Sequence, residues 1–294
     1  MHNIKIVLLI LLLVPKYSFA ITPTDVYQQV EVVISEIAAL KKHSKINEKS
    51  RIPGIQVGKA PLHSYAKALE LLEKIQRYQV QHQLTPLKLP ELPSITVKPT
   101  DVMVILKFAG QELERIHKKL NVNVQGEEIA TQTTSKTPSD VYEAIWQASY
   151  MMDSLVSPIK PADVLRNISM IEQALIQIAK SKRKTLKFPR ALSYTTKKPV
   201  DVSIQLYKLL YTIARLERQL EIKPLIVPTF PAGKIKPEDA YDVTGNVLAD
   251  LTRIAVKLNI PAVKRLPIPI NKVSPNDVYA QAVRMNAAAR QLID

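Results

Sequence analysis

The sequence predicts an all-α protein of eight helices, each followed by an extended connector, arranged as two duplicated four-helix units. Three observations carry this reading. First, one short motif recurs, opened by Pro23, Pro61, Pro99, Pro138, Pro161, Pro199, Pro237 and Pro275. Second, those prolines are spaced 38, 38, 39, 23, 38, 38 and 38 residues apart. Third, apolar residues recur 3, 7, 10, 14 and 17 positions after the prolines, as in Val164, Ile168, Ile171, Leu175 and Ile178.

The motif reads as a helix start. Proline suits the first helical position, where its missing N–H costs nothing and its φ is already helical. Asp follows two residues later in seven copies: Asp25, Asp101, Asp140, Asp163, Asp201, Asp239 and Asp277. A carboxylate there reaches back to a free backbone N–H and complements the positive end of the helix dipole. Thr22, Thr137 and Ser274 add a hydroxyl cap before the proline. Lys98, Lys160, Lys198 and Lys236 hold that place in four other copies and accept no hydrogen bond, so those copies lean on the Asp. His63 replaces the Asp in the second copy. Seven repeated carboxylates could form a ligand array, but capping accounts for both residues of the motif.

The single short interval divides the chain into residues 21–157 and 158–294, with matched internal spacing. The apolar columns, stepping by four and three, are the seam of helices packed side by side at shallow angles. Ser64 and Thr244 are polar exceptions in them. Connectors of about 15 residues extend to about 50 Å, enough to return along a helix of about 30 Å. Leu89-Pro90-Glu91-Leu92-Pro93 and Leu266-Pro267-Ile268-Pro269-Ile270 alternate apolar residues with prolines, which suits polyproline segments lying on helices. Helices within one unit are therefore expected to be parallel, and the short link 157–160 to reverse the direction between units. The rival arrangement is one continuous eight-helix array. The polar connector 121–136 is the expected mobile loop.

Residues 1–20 read as an export signal: Lys5, then an apolar run from Ile6 to Val14, then Ser18-Phe19-Ala20. Nine apolar residues are too few for a membrane span. The formal charge of +15 falls to about +13 once Lys5 and Lys16 leave. The chain has no cysteine, which is common in exported bacterial proteins and excludes thiol chemistry and thiolate metal sites. Roughly 270 residues bury an ample core without disulfides.

No catalytic or nucleotide-binding motif stands out. His43, His63, His82 and His117 all lie in the first half, without chelating spacing, and no metal or cofactor is expected. Glu112 with Glu114 and Glu127 with Glu128 read as solvated charge. Two features are candidate sites. A tyrosine column four places after the proline (Tyr27, Tyr65, Tyr142, Tyr241 and Tyr279) could present an aromatic surface, or pin helix starts against returning connectors. The run Lys180, Lys182, Arg183, Lys184, Lys187, Arg190, Lys197 and Lys198 has no acid between Gln173 and Val200 and could meet an anionic partner. Its bland counterpart is a solvated loop.

These features point to an exported, non-catalytic binding or scaffold protein of the bacterial envelope or extracellular space. Its partner would be another envelope or extracellular protein, or an anionic envelope polymer. Aromatic residues at 5 % and export argue against nucleic acid. The alternatives are a small-molecule or metal-binding bundle, and an enzyme without a familiar motif.

Overall fold

The computed structural model describes residues 20–123, 134–190, 192–224 and 226–293. Among them the chain forms eight α-helices and no strands: α1 (Pro23–His43), α2 (Pro61–Gln81), α3 (Pro99–Leu120), α4 (Pro138–Asp153), α5 (Pro161–Ser181), α6 (Pro199–Gln219), α7 (Pro237–Lys257) and α8 (Pro275–Arg290). Residues 1–19, most of the stretch 1–20 expected to be an export signal, and most of the connector before α4, including Glu127 and Glu128, lie outside the described residues.

Every helix starts at its motif proline. The Asp two residues on accepts the backbone N–H of the cap residue, as Asp101 does from Lys98 and Asp140 from Thr137, both at 2.7 Å. Where the cap is Lys, that bond stands alone; Thr22, Thr137 and Ser274 add the reciprocal hydroxyl bond. Six helices also stop alike. Lys45, Gln83, Asn121, Arg183, Glu221 and Asn259, each 22 residues after its proline, take left-handed φ values of 53–56°. The next residue donates back to the last turn, as Ile46 does to Lys41 and Leu84 to Gln79.

The apolar columns form two cores. Val26, Val30, Val33, Ile37 and Leu40 of α1 and the matching columns of α3, α5 and α6 are all buried. Helices α1–α4 close one ring, each touching two neighbours in the order α1, α3, α2, α4; α5–α8 repeat that order as α5, α7, α6, α8. Pro23, Pro61, Pro99 and Pro138 line one small cavity, so the four helices of the first unit run parallel. Parallel packing brings four positive dipole ends together, which the capping carboxylates offset. In the second unit Lys182, just past α5, reaches the Leu292 carbonyl just past α8, and Asn167 early in α5 meets Thr244 early in α7.

In this ring α1 and α2 are diagonal, so their connector passes over a neighbour instead of retracing its own helix. Segment 44–60 descends α4: Gln56 N–H meets Glu143 and Lys59 N–H meets Ser139. Lys187, Pro189 and Lys197 of the connector before α6 descend α8 in the same way, from Gln291 past Arg284 to Asn276. Between the units, α2 packs directly on α7, and side chains of α4 and α5 reach across to join that contact. Helices α2 and α7 are antiparallel, because His63 near the start of α2 meets Asp250 late in α7, while Glu73 further along α2 meets Tyr241 near the start of α7.

Candidate functional site

The contact between the units is a buried seam of paired charges. The outer faces of α2 and α7 carry Lys, Glu, Asp and Arg at helical spacing, and the antiparallel approach brings each carboxylate to a cation. Lys67 lies at the middle. Its ammonium is 2.7 Å from Glu70 and 2.9 Å from Asp242, and 4.9 Å over the Trp146 ring. Burial alone would lower its pKa; Asp242 and Glu70 together raise it well above the usual lysine value. Asp242 also accepts the Trp146 indole N–H at 3.1 Å and the Tyr150 hydroxyl at 3.2 Å. Glu70 accepts from Ser149 as well, at 2.9 Å. Lys74 continues the chain to Asp153 at 2.5 Å.

One turn on, Glu73 takes Arg166 of α5 through both guanidinium nitrogens, the Tyr241 hydroxyl at 2.6 Å and Arg265 at 2.9 Å. Burial would raise this carboxyl, but Arg166 and Arg265 outweigh it and hold the pKa down to about 2. Arg77 joins Asp163, the cap of α5, at 2.6 Å, and Arg51 joins Asp239, the cap of α7, at 2.5 Å. Those two caps thus serve the seam too.

At the other end His63 accepts the Ala60 N–H at Nδ1 (3.0 Å), filling the place of the capping Asp, so Nε2 carries the proton to Asp250 (2.8 Å). Burial lowers its pKa against the pull of Asp250. Lys59 donates to Asn246 at 2.9 Å and lies 4.5 Å over the Tyr142 ring. Burial lowers it to about 8. Gly58 beside it has φ +69°, and a side chain there would meet Ile226 at 3.3 Å, where the connectors of the two units touch.

Each of these charges has a partner within the seam, although Asp250 Oδ2, Arg51 Nη1 and Arg265 Nε make no hydrogen bond among the described residues. The cavity among Glu73, Arg166, Tyr241 and Arg265 holds about 50 Å³, room for one or two waters. Larger open grooves flank the seam. One of about 360 Å³ lies between the start of α2 and the end of α7, lined by Leu62, Val97, Ile222, Arg253 and Val256.

The tyrosine column does not form one aromatic surface. Tyr142 and Tyr241 are buried in the seam. Tyr27, Tyr142 and Tyr279 share another role: each carries, 4.5–4.6 Å from its ring, the Lys two residues before the starting proline of another helix, namely Lys136 before α4, Lys59 before α2 and Lys197 before α6. Each ring thus pins a returning connector. Tyr65 packs on the first core. Within the basic run, Lys182 and Lys184 donate to the carbonyls of Leu292 and Gln291 and so fasten the end of α8. Arg183, Lys187, Arg190 and Lys198 remain exposed around them, and Lys180 is exposed at the end of α5.

One reading needs correction: Glu112 is not simply solvated, since it accepts from Arg115 and from Gln79 at 2.7 Å. His63 takes the capping place that the motif gave it and also meets Asp250 in the seam. Outside the apolar columns, Asn167 is a further polar group turned inward and meets Thr244 at 2.9 Å. No group of three or more metal-ligating side chains occurs among the described residues, and no described helix is long and apolar enough to cross a membrane.

Sequence reasoning missed the seam because Lys67, Glu70, Glu73, Lys74 and Arg77 look like solvated i,i+3 and i,i+4 pairs. The available signal was α7, whose Asp239, Asp242, Asn246 and Asp250 form a polar stripe in an otherwise basic chain. Protein-family models, curated proteins and solved structures yield no match to this chain.

Proposed function

We propose that the protein is an exported, non-catalytic scaffold or adaptor of the bacterial envelope or extracellular space, built from two four-helix units. The observation that carries this reading is the seam. Its buried carboxylates and cations are paired with each other around a cavity of about 50 Å³, which suits a fixed joint between two bodies better than a reaction centre. The paired seam is close to neutral, so the excess of cations lies on the outer faces, where it attracts an acidic protein or an anionic polymer.

The test is in-cell crosslinking of the tagged mature chain with mass spectrometry, beside a variant carrying Lys187→Gln, Arg190→Gln and Lys198→Gln. Lys182 and Lys184 stay unchanged because they hold α8. The expected result is a specific crosslinked partner whose yield falls in the variant. Recovery of both forms without any partner removes the scaffold reading. A second reading, small-molecule binding, is favoured by the 360 Å³ groove with its apolar wall and Arg253. A ligand-induced rise in melting temperature abolished by Val256→Trp would support it.

A further inference from the structure

We propose that the outer face of α6, with Lys197 beside it, is a docking surface for an acidic helix of a partner protein, seated as α7 is seated on α2. This rests on the scaffold reading and names the face and the chemistry of the partner.

The argument starts from a repeated pair. Lys59 stands two residues before Pro61, its backbone N–H meets Ser139 at 3.1 Å, and its ammonium lies over Tyr142 while reaching Asn246 of α7. Lys197 stands two residues before Pro199, its N–H meets Asn276 at 2.9 Å, and its ammonium lies over Tyr279. The α6–α8 face therefore repeats the Lys–Tyr pair and its backbone bond found where α2 and α4 hold α7; the same pair at Lys136 and Tyr27 pins a connector only, so the side chains of α6 decide what this face can take. Among the described residues, no helix occupies the place of α7 on this second face.

The side chains on it fit an acidic occupant. Counted from the starting proline, Lys208, Tyr211 and Arg215 of α6 stand where α2 has Glu70, Glu73 and Arg77. All three are exposed, Tyr211 at 59 %. Lys208 to Arg215 spans about 10 Å along the helix, two turns of a partner. Tyr211 between the cations and Ile204 one turn before them add exposed apolar surface; a simple polyanion would have no use for them. Asp201, the carboxylate on this stretch, caps its own helix. A second copy of the chain fits poorly. The counterpart of α7 is α3, which has Val104 and Lys107 where α7 has Asp242 and Gly245. Lys107 would then face Lys208.

The probe is a synthetic helical peptide of about 20 residues with Glu along one face and Leu beside it, fluorescently labelled. It is titrated with the mature full chain in low salt and in about 0.3 M salt. The expected result is saturable binding that weakens with salt, and about tenfold with Lys208→Glu plus Arg215→Glu. Binding should also weaken with Tyr211→Ala and remain with Lys107→Glu on α3. All four positions are exposed, so circular dichroism should show unchanged helices. Lack of saturable binding overturns the proposal, as does equal loss with the α3 variant. Polyphosphate binding that ignores Tyr211 while the peptide fails assigns the face to a polymer instead. Self-association lost with the α6 variant assigns it to a second copy. In the crosslinking experiment, a partner that survives Lys208→Glu plus Arg215→Glu leaves the scaffold reading standing and removes this face from it.

Discussion

Glu73 accepts from Arg166, Arg265 and Tyr241 in a space nearly closed to water, and this makes it the most demanding single residue of the seam. Removing one partner of a buried pair costs about 3–5 kcal/mol, because the other charge is left behind. Glu73→Gln should therefore lower unfolding stability at neutral pH by that order. The pH dependence has a defined sign. The folded-state pKa of Glu73 is depressed to about 2, so its contribution is present above the unfolded carboxyl value, about 4.3, and fades as pH falls towards 2. The gap between wild type and variant in urea unfolding should narrow over that window. A gap unchanged between pH 7 and pH 3 would mean the carboxylate charge is not what holds the site. Glu73 also shows why the seam was hidden in the sequence. A Glu flanked by Lys74 and Arg77 on a helix has the pattern of a solvated face, and what buries it is α5 and α7, more than 90 residues away.

The eight helices were legible because their starts and cores are local. Proline at the first position, Asp at the third and an apolar column every three or four residues are complete within one turn or one face. The helix ends were less legible. Lys45, Gln83, Arg183 and Glu221 adopt the left-handed stop where glycine is usual, so no glycine marks it. A non-glycine residue there costs about 1–2 kcal/mol in strain. Gln83→Gly should accordingly raise stability by up to about 1 kcal/mol, less than the full strain because glycine also frees the unfolded chain. The gain should read out as a higher melting temperature with unchanged helix content. The starts make a second comparison. Asp101 serves its own helix, so Asp101→Ala should cost about 1 kcal/mol. Asp239 caps α7 and also takes Arg51 at 2.5 Å in a buried place. Asp239→Ala should cost about 1 kcal/mol more than Asp101→Ala, a modest increment because Arg51 is 38 % exposed and water can take over part of its charge. Equal costs in chemical denaturation would show that the Arg51 pair adds nothing.

At the scale of the molecule, two apolar cores are joined by a polar seam. The short link 157–160 announced the reversal between the units, and matched spacing announced two rings. Which helices meet across the reversal was not legible, because that depends on outer faces that look alike in sequence. The consequence is a protein whose cooperativity runs through ion pairs. Each unit has a buried core of its own, so coupling between them rests on the seam, where α4 and α5 join the α2–α7 contact. Trp146, the single tryptophan, donates its indole N–H to Asp242 across that contact and reports on it directly. Circular dichroism reports on all eight helices together. In urea, which leaves ion pairs unscreened, the wild type should show coincident transitions by the two probes. Lys67→Ala leaves Glu70 and Asp242 facing each other without the ammonium between them. It should loosen the seam before either core melts, so that tryptophan fluorescence moves at lower urea than helix content. Coincident curves for this variant would place the coupling in the apolar contacts around Leu92, which packs against both cores, and not in the charges.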